Sequence, residues 1–182
     1  LQHGLRAVEV YEKNARHLHA RLAQAALAAG LDEATSERLA AAWIVVGDFL
    51  QVRLDGPFDL VVGNPPYIVV RDGALNAAYR KRFASCHRQY SLGCPFTERF
   101  FELAVTGNER PAGYVGLITT NSFMKREFGS KLIEQVLPRL DLTHLIDTSG
   151  AYIPGHGTPT VVLFGRHRTP VGDTVRTVMG IK

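Results

Sequence analysis

The chain has 182 residues, 46% of them hydrophobic and 21% charged, which is typical of one globular domain with a sizeable core. No run approaches the roughly 20 apolar residues that a membrane span needs, and two cysteines are too few for a disulfide framework, so we expect a cytoplasmic protein with no membrane partner. A net charge of +4 is compatible with a polyanionic partner.

Short β-branched runs alternate with amphipathic helical segments, a pattern that favours crossover units and a parallel sheet. The first predicted elements are a strand at 6–11, a helix at 12–29, a short helix at 35–42 and strands at 43–49 and 58–63. The last of these is nearly continuous in apolar residues, as is usual for a central strand covered on both faces.

The second half continues the alternation after an irregular stretch that reaches about residue 93. We predict a helix at 95–105, a strand at 114–120, a helix at 129–137 closed by Pro138, strands at 142–147 and 159–166, and the start of a strand at 174–179. Because the chain begins with Leu1 and stops soon after that segment, we expect it to be truncated at both ends.

The most informative motif is Asn64-Pro65-Pro66-Tyr67, which follows the strand at 58–63. Open α/β sheets bind ligands at the carboxyl ends of their strands. Consecutive prolines fix φ and carry no N–H, so the turn is stiff and presents oxygen acceptors without competing donors. The alternative is a plain turn, since Asn-Pro and Pro-Pro are common there.

Two fixed acceptors match the chemistry of the adenine amino group, a poor nucleophile because its lone pair is delocalised into the ring. The Asn64 amide oxygen and the Pro65 carbonyl oxygen could accept both amino hydrogens and localise that lone pair, an example of electrostatic preorganisation. An adenine in a duplex must first be flipped out. Stacking on Tyr67 would offset part of that cost, by about 1–3 kcal/mol.

Residues 58–67 resemble the catalytic motif of the adenine-N6 DNA methyltransferases, and 113–129 and 146–160 resemble the methyltransferases of BREX and phage-growth-limitation defence systems. The resemblance implies a Rossmann-like α/β sheet with flanking helices that binds S-adenosylmethionine. It implies site-specific methyl transfer to a flipped adenine in double-stranded DNA, in bacterial defence against phage, with other defence-system proteins as partners. Asn64, Pro65, Pro66 and Tyr67 would form the catalytic turn.

Two carboxylates match the positions where this family binds its methyl donor. Asp48, followed by Phe49, corresponds to the acidic residue that contacts the donor's adenine ring. Glu9 corresponds to the carboxylate that holds the ribose hydroxyls, and Asn64 completes the set. Asp48 could instead be a loop or cap residue, and Glu9 a solvated strand-end charge.

The family also has a Gly-rich loop after its first strand, and nothing before Glu9 supplies one. We therefore expect the first strand to lie upstream of Leu1 and a target-recognition region to lie downstream. On this interpretation, residues 1–182 are a partial methyltransferase catalytic domain that is inactive alone.

A basic stretch after the catalytic turn contains Arg80, Lys81 and Arg82, with Tyr79, Phe83 and Tyr90 interleaved. This mixture suits phosphate contact combined with base stacking, although a solvated basic face is an equal alternative.

Tyr152 and His156 lie in a Gly/Pro-rich link near the place where the family positions residues against the flipped base. We expect them to contact DNA, with a solvated loop as the alternative. No metal is expected, because the spacing of Cys86, His87 and Cys94 matches no zinc pattern.

Two other functions remain open. RNA and protein-glutamine methyltransferases use the same turn on the same fold, and fold alone does not separate them. The chain could also be an inactive module that binds nucleic acid or a partner.

Overall fold

The computed structural model describes residues 4–108, 110–150 and 157–180. The chain forms two compact units, Leu1–Asp55 and Gly56–Lys182. No helix within the described ranges is long and apolar enough to cross a membrane.

The first unit contains two short parallel strands and two helices. Its elements are β1 (Ala7–Glu9), α1 (Glu12–Ala28), α2 (Glu33–Trp43) and β2 (Ile44–Val46), with β1 paired to β2 in parallel. The Asp32 side chain accepts a hydrogen bond from the Thr35 N–H at 2.9 Å and so caps α2. Buried alanines on both helices, among them Ala23 and Ala40, allow the helix backbones to approach closely.

The strand predicted at 43–49 is shorter than expected. Trp43 is the last residue of α2, and the strand covers Ile44–Val46 only. The Asp48 carbonyl accepts hydrogen bonds from the amides of Gln51 and Val52, so Asp48 starts a turn and is not a strand residue.

The second unit is built on a five-stranded sheet flanked by helices. Its strands are β3 (Leu60–Gly63), β4 (Tyr114–Thr120), β5 (Asp141–Asp147), β6 (Thr160–Arg166) and β7 (Arg176–Met179), in the order β3-β4-β6-β5-β7. Strand β6 runs antiparallel to both of its neighbours, while β3 pairs with β4 and β5 with β7 in parallel. The α/β class is confirmed, but a purely parallel sheet was wrong because the Gly/Pro-rich link returns the chain directly to an adjacent strand.

The helices of this unit differ from the predictions in three places. Helix α3 (Gly73–Arg82) lies inside the stretch interpreted as irregular, and α4 (Gly93–Leu103) starts two residues before the predicted helix. The predicted helix at 129–137 is a π-helix over Leu132–Val136 followed by a 3-10 turn over Leu137–Arg139. Pro138 lies within this turn, where its missing N–H costs nothing.

Alternation along the central strands forms the core. Val115 and Leu117 of β4 and Val161 and Leu163 of β6 are almost fully buried. Since β4 and β5 are both antiparallel to β6, they run in the same direction as each other and as β3. The carboxyl ends of β3, β4 and β5 therefore meet at one edge of the sheet, which carries the candidate site.

Candidate functional site

The catalytic turn begins where β3 ends against helix α4. A Cβ on Gly63 would lie 2.6 Å from Cζ of Phe100, which is itself buried. Pro65 is buried, whereas Asn64 and Pro66 are exposed. The turn is therefore anchored at Gly63 and Pro65 and leaves Asn64 exposed.

Tyr67 orients that amide. Its hydroxyl donates a hydrogen bond to Oδ1 of Asn64 at 2.7 Å. Burial raises the pKa of Tyr67, so the phenol keeps the proton that it donates. An amide oxygen has two lone pairs, so Oδ1 can accept a second hydrogen bond while Tyr67 holds it. Sequence reasoning placed Tyr67 in the catalytic turn with a stacking role and missed this contact.

After Tyr67 the chain pairs with a segment that precedes α4. Val69 and Ser91 form an antiparallel bridge, and the Leu92 N–H donates to the Ile68 carbonyl at 2.9 Å. This short ribbon forms one wall of a cleft of about 890 Å³. The cleft is lined by Tyr67, Val69, Arg80, Arg88, Gln89, Ser91, Thr120, Ser122, Arg126, Glu127, Phe128 and Thr158.

The opposite wall follows the end of β4. The Thr120 hydroxyl accepts from the Ser122 N–H at 3.2 Å and donates to the Ser122 hydroxyl at 3.0 Å. Phe128 adds a second aromatic side chain beside Tyr67 in the lining. Sequence reasoning did not assign these residues to the site, and the only signal was their position directly after a strand.

Charge in the cleft is mainly positive. Three arginines and one glutamate line it, and a 2.6 Å ion pair joins Arg88 to Glu127. Both partners are more than half exposed, so the pair contributes little to the free energy of unfolding. Its role is to connect the two walls of the cleft.

The three basic residues of the predicted DNA-contacting stretch lie in different environments. Arg80 donates to Oδ1 of Asn76 at 2.8 Å and to the backbone carbonyls of Cys86 and Arg88, so it holds the loop after α3. Lys81 is exposed, and Arg82 lies 3.9 Å from Glu102. Their contact with DNA stays a prediction.

The interleaved aromatic residues are core residues. Tyr79, Phe83 and Tyr90 are at most 5% exposed, so they cannot stack on bases and that part of the prediction was wrong. Cys86 and Cys94 are also buried, and burial raises their thiol pKa values to about 11 and about 12. Both thiols are therefore neutral at physiological pH.

A polar network fixes the start of the link between β5 and β6. The Asn121 amide donates to the Ser149 hydroxyl at 3.2 Å, and that hydroxyl donates to the carboxylate of Asp147. These hydrogen bonds from Ser149 hold the pKa of Asp147 below its usual range. Tyr152 and His156 lie outside the described residues, so their predicted DNA contacts stay predictions.

In the first unit, two carboxylates lie at neighbouring strand ends. Glu9 is the last residue of β1, and its carbonyl accepts from the Gly47 N–H at 3.0 Å, next to Asp48. The Asp48 carboxylate accepts from the Leu50 N–H at 2.9 Å and from the Gln51 amide at 2.6 Å. Asp48 thus has the cap role considered as an alternative, and donor binding by Glu9, Asp48 and Phe49 stays a prediction.

The family assignment comes from sequence comparison. The family model for the Eco57I restriction-modification methylase matches residues 8–153 of the chain. The chain belongs to this methylase family. The match contains both carboxylates, the turn at 64–67 and the cleft residues up to Phe128.

Curated relatives of this Eco57I-type chain are adenine-specific and type II methyltransferases. It is 53% identical over 143 residues to the adenine-specific methyltransferase PglX of Streptomyces coelicolor, covering 74% of the chain and 12% of PglX. It is 33% identical over 146 residues to the type II methyltransferase M.XhoI of Xanthomonas vasicola, covering 79% of the chain and 26% of that enzyme. The chain thus spans only a small part of these relatives.

Solved structures show the same fold. The M protein of the type I restriction enzyme EcoKI superimposes with a TM-score of 0.58 at 13% identity, covering 89% of the chain and 30% of that protein. The resemblance to adenine-N6 DNA methyltransferases that the sequence motifs predicted is confirmed. Among the described residues, no group of three or more His, Cys, Asp or Glu side chains is placed to hold a metal ion.

Proposed function

We propose that this chain is the catalytic core of a DNA methyltransferase that transfers a methyl group from S-adenosylmethionine to the amino group of a flipped adenine. The observation that carries the proposal is the anchored turn, which leaves the Asn64 amide exposed with its oxygen oriented by Tyr67. Family membership and 53% identity to an adenine-specific methyltransferase support the same reaction.

The turn supplies two acceptors to the substrate amine. Oδ1 of Asn64 and the Pro65 carbonyl oxygen accept one amino hydrogen each and shift the lone pair towards the nitrogen. This would make the nitrogen the nucleophile for the donor's methyl group, and the surplus amino proton would leave to solvent. The Tyr67 ring stacks on the base and keeps it in line.

The donor site is proposed in the first unit. S-adenosylmethionine, when bound, supplies the methyl group as an electrophile. The residues present fit this group, since Glu9 and Asp48 lie at adjacent strand ends, where carboxylates accept from ribose hydroxyls and an adenine amino group. Phe49 offers an aromatic side chain next to Asp48.

Double-stranded DNA is the proposed partner. The cleft contains arginines for phosphate groups and two aromatic residues, Tyr67 and Phe128, for an extruded base. Arg80, Lys81, Arg82, Tyr152 and His156 remain proposed DNA contacts. Similarity to PglX supports a role in phage defence. We propose BREX-type defence proteins as further partners and the cytoplasm as the location.

The test is Asn64→Ala in the full-length protein, with Asn108→Ala as a control at an exposed asparagine. Removing one preorganised polar group from an active site typically lowers kcat about 10²–10³-fold. We expect a loss of this size for Asn64→Ala in methyl transfer to duplex DNA, with only a small loss of S-adenosylmethionine affinity by calorimetry. Full activity in Asn64→Ala, or methylation of RNA or protein in preference to DNA, would contradict the proposal.

A further inference from the structure

Ser91 carries a buried hydroxyl in the wall of the cleft. The residue is 8% exposed, and its Oγ has no hydrogen-bond partner among the described residues. A buried hydroxyl without a partner is costly, and such groups are uncommon in folded proteins unless a ligand or water completes them. Among the described residues that line the cleft, Ser91 is the one with a buried side-chain hydroxyl that lacks a hydrogen-bond partner.

Strand pairing places Ser91 in the same cleft as Tyr67. Val69 and Ser91 are directly opposite each other in the antiparallel bridge, so their side chains lie on the same face. Tyr67, two residues before Val69, lines the same cleft as both of them.

Two other hydroxyls of the cleft lining, those of Thr120 and Ser122, are hydrogen-bonded to each other.

The two groups of the turn that hold the amine are both acceptors, and this limits what they can recognise. Oδ1 of Asn64 and the Pro65 carbonyl can bind amino hydrogens, but they cannot donate to a base. Adenine flanks its amino group with two ring nitrogens, N1 and N7, and both are acceptors. A ring nitrogen of a base that the turn holds in this way still needs a hydrogen-bond donor, and a serine hydroxyl can supply one.

We propose that the Ser91 hydroxyl donates a hydrogen bond to a ring nitrogen next to the reacting amino group of the base stacked on Tyr67. This inference rests on the proposed function and deepens it, because it makes Ser91 a residue that recognises a ring nitrogen beside the reacting amine.

The test combines Ser91→Ala with atom deletions in the substrate. The full-length protein is assayed on a duplex whose target adenine, located by sequencing of methylated DNA, is replaced by 7-deazaadenine or by 1-deazaadenine. Ser85→Ala is the matched control, since Ser85 is also buried and unpartnered but lies outside the cleft lining.

We expect Ser91→Ala to lower kcat/KM on adenine about tenfold, the usual size of one lost hydrogen bond, while Ser85→Ala leaves it unchanged. One of the two deaza duplexes should cost the unsubstituted enzyme a similar factor and cost Ser91→Ala nothing further. That pattern identifies which ring nitrogen Ser91 contacts.

Two results would overturn the inference. If Ser91→Ala loses the same factor on all three duplexes, the residue has only a structural role. If it methylates adenine as fast as Ser85→Ala does, no such hydrogen bond forms. Failure of the unsubstituted full-length protein to methylate any duplex would overturn the proposed function itself, and the two failures are thereby distinguished.

Discussion

The hydrogen bond between Tyr67 and Asn64 decides which end of the Asn64 amide faces a substrate. An exposed asparagine can rotate and present its NH2 group in place of its oxygen. The Tyr67 hydroxyl donates to Oδ1 at 2.7 Å, and its raised pKa keeps it a donor. The oxygen is thus held in place before substrate binds, which is the condition for it to act on an amine.

Tyr67→Phe separates this orienting role from stacking, since the ring stays and the hydroxyl is lost. We expect kcat for methyl transfer to fall about five- to tenfold with little change in KM for DNA, because one hydrogen bond that acts on the reacting group is removed. Steady-state kinetics on duplex DNA would measure this.

Tyr114→Phe is the control for that variant. Tyr114 is 57% exposed at the amino end of β4, at the opposite edge of the sheet, and its ring packs under Arg166. An unchanged kcat in Tyr67→Phe, or a loss confined to KM, would show that the hydroxyl does not orient Asn64 for catalysis.

At the level of elements, the segment after β4 depends on a close backbone contact. A Cβ on Gly129 would lie 1.9 Å from the Phe123 carbonyl oxygen, so any side chain at this position would force the backbone to move. This contact ties the 3-10 turn Asn121–Met124 to the turn Glu127–Gly129. The second turn carries Glu127 and Phe128 into the cleft.

Gly129→Ala is therefore expected to destabilise this region by about 2–3 kcal/mol, since it forces the two turns apart. The measurement is the urea concentration at which amides of β4 and residues 130–136 lose hydrogen-exchange protection. Gly73→Ala, at the start of α3 with no atom within 4 Å of the added carbon, should be neutral or stabilising by up to about 1 kcal/mol. Equal midpoints for the two variants would contradict this account.

Three strands of the second unit were predicted almost to the residue. The strand at 114–120 coincides with β4, and the strands at 142–147 and 159–166 differ from β5 and β6 by one residue. Helix α3 was missed because only Tyr79 is buried along it, so its apolar residues show no clear period. The Asp72 cap, which accepts from Leu75 at 2.8 Å, was the available signal.

The candidate site likewise contains residues that the sequence predicts and residues that it does not. The turn at 64–67 could be predicted because four consecutive residues carry its chemistry. Ser91 and Phe128 could not, because they reach the cleft only through a bridge to Val69 and through a backbone contact at Gly129. Such contacts are set by tertiary structure and leave no local pattern.

At the scale of the whole molecule, a net charge of +4 does not say where a polyanion binds. The partners of the three arginines that line the cleft indicate which of them can bind a phosphate group. Arg88 is paired with Glu127, and Arg80 is bonded to backbone carbonyls. Arg126 is exposed, and its side chain has no ion pair or hydrogen bond among the described residues. It is the cleft arginine best able to neutralise a phosphate.

We therefore expect Arg126→Gln to weaken DNA binding by the full-length protein to a similar extent on every sequence, and to reduce the slope of log K against log salt by about 0.9. Fluorescence anisotropy between about 50 and 200 mM salt would measure both quantities. Arg139→Gln is the matched control, because Arg139 is exposed just before β5, at the opposite edge of the sheet. If both variants reduce the slope equally, binding follows net charge alone, and the DNA does not lie along the edge of the sheet that carries Asn64. If only Arg126→Gln reduces the slope, the phosphate contact belongs to the same cleft as Tyr67.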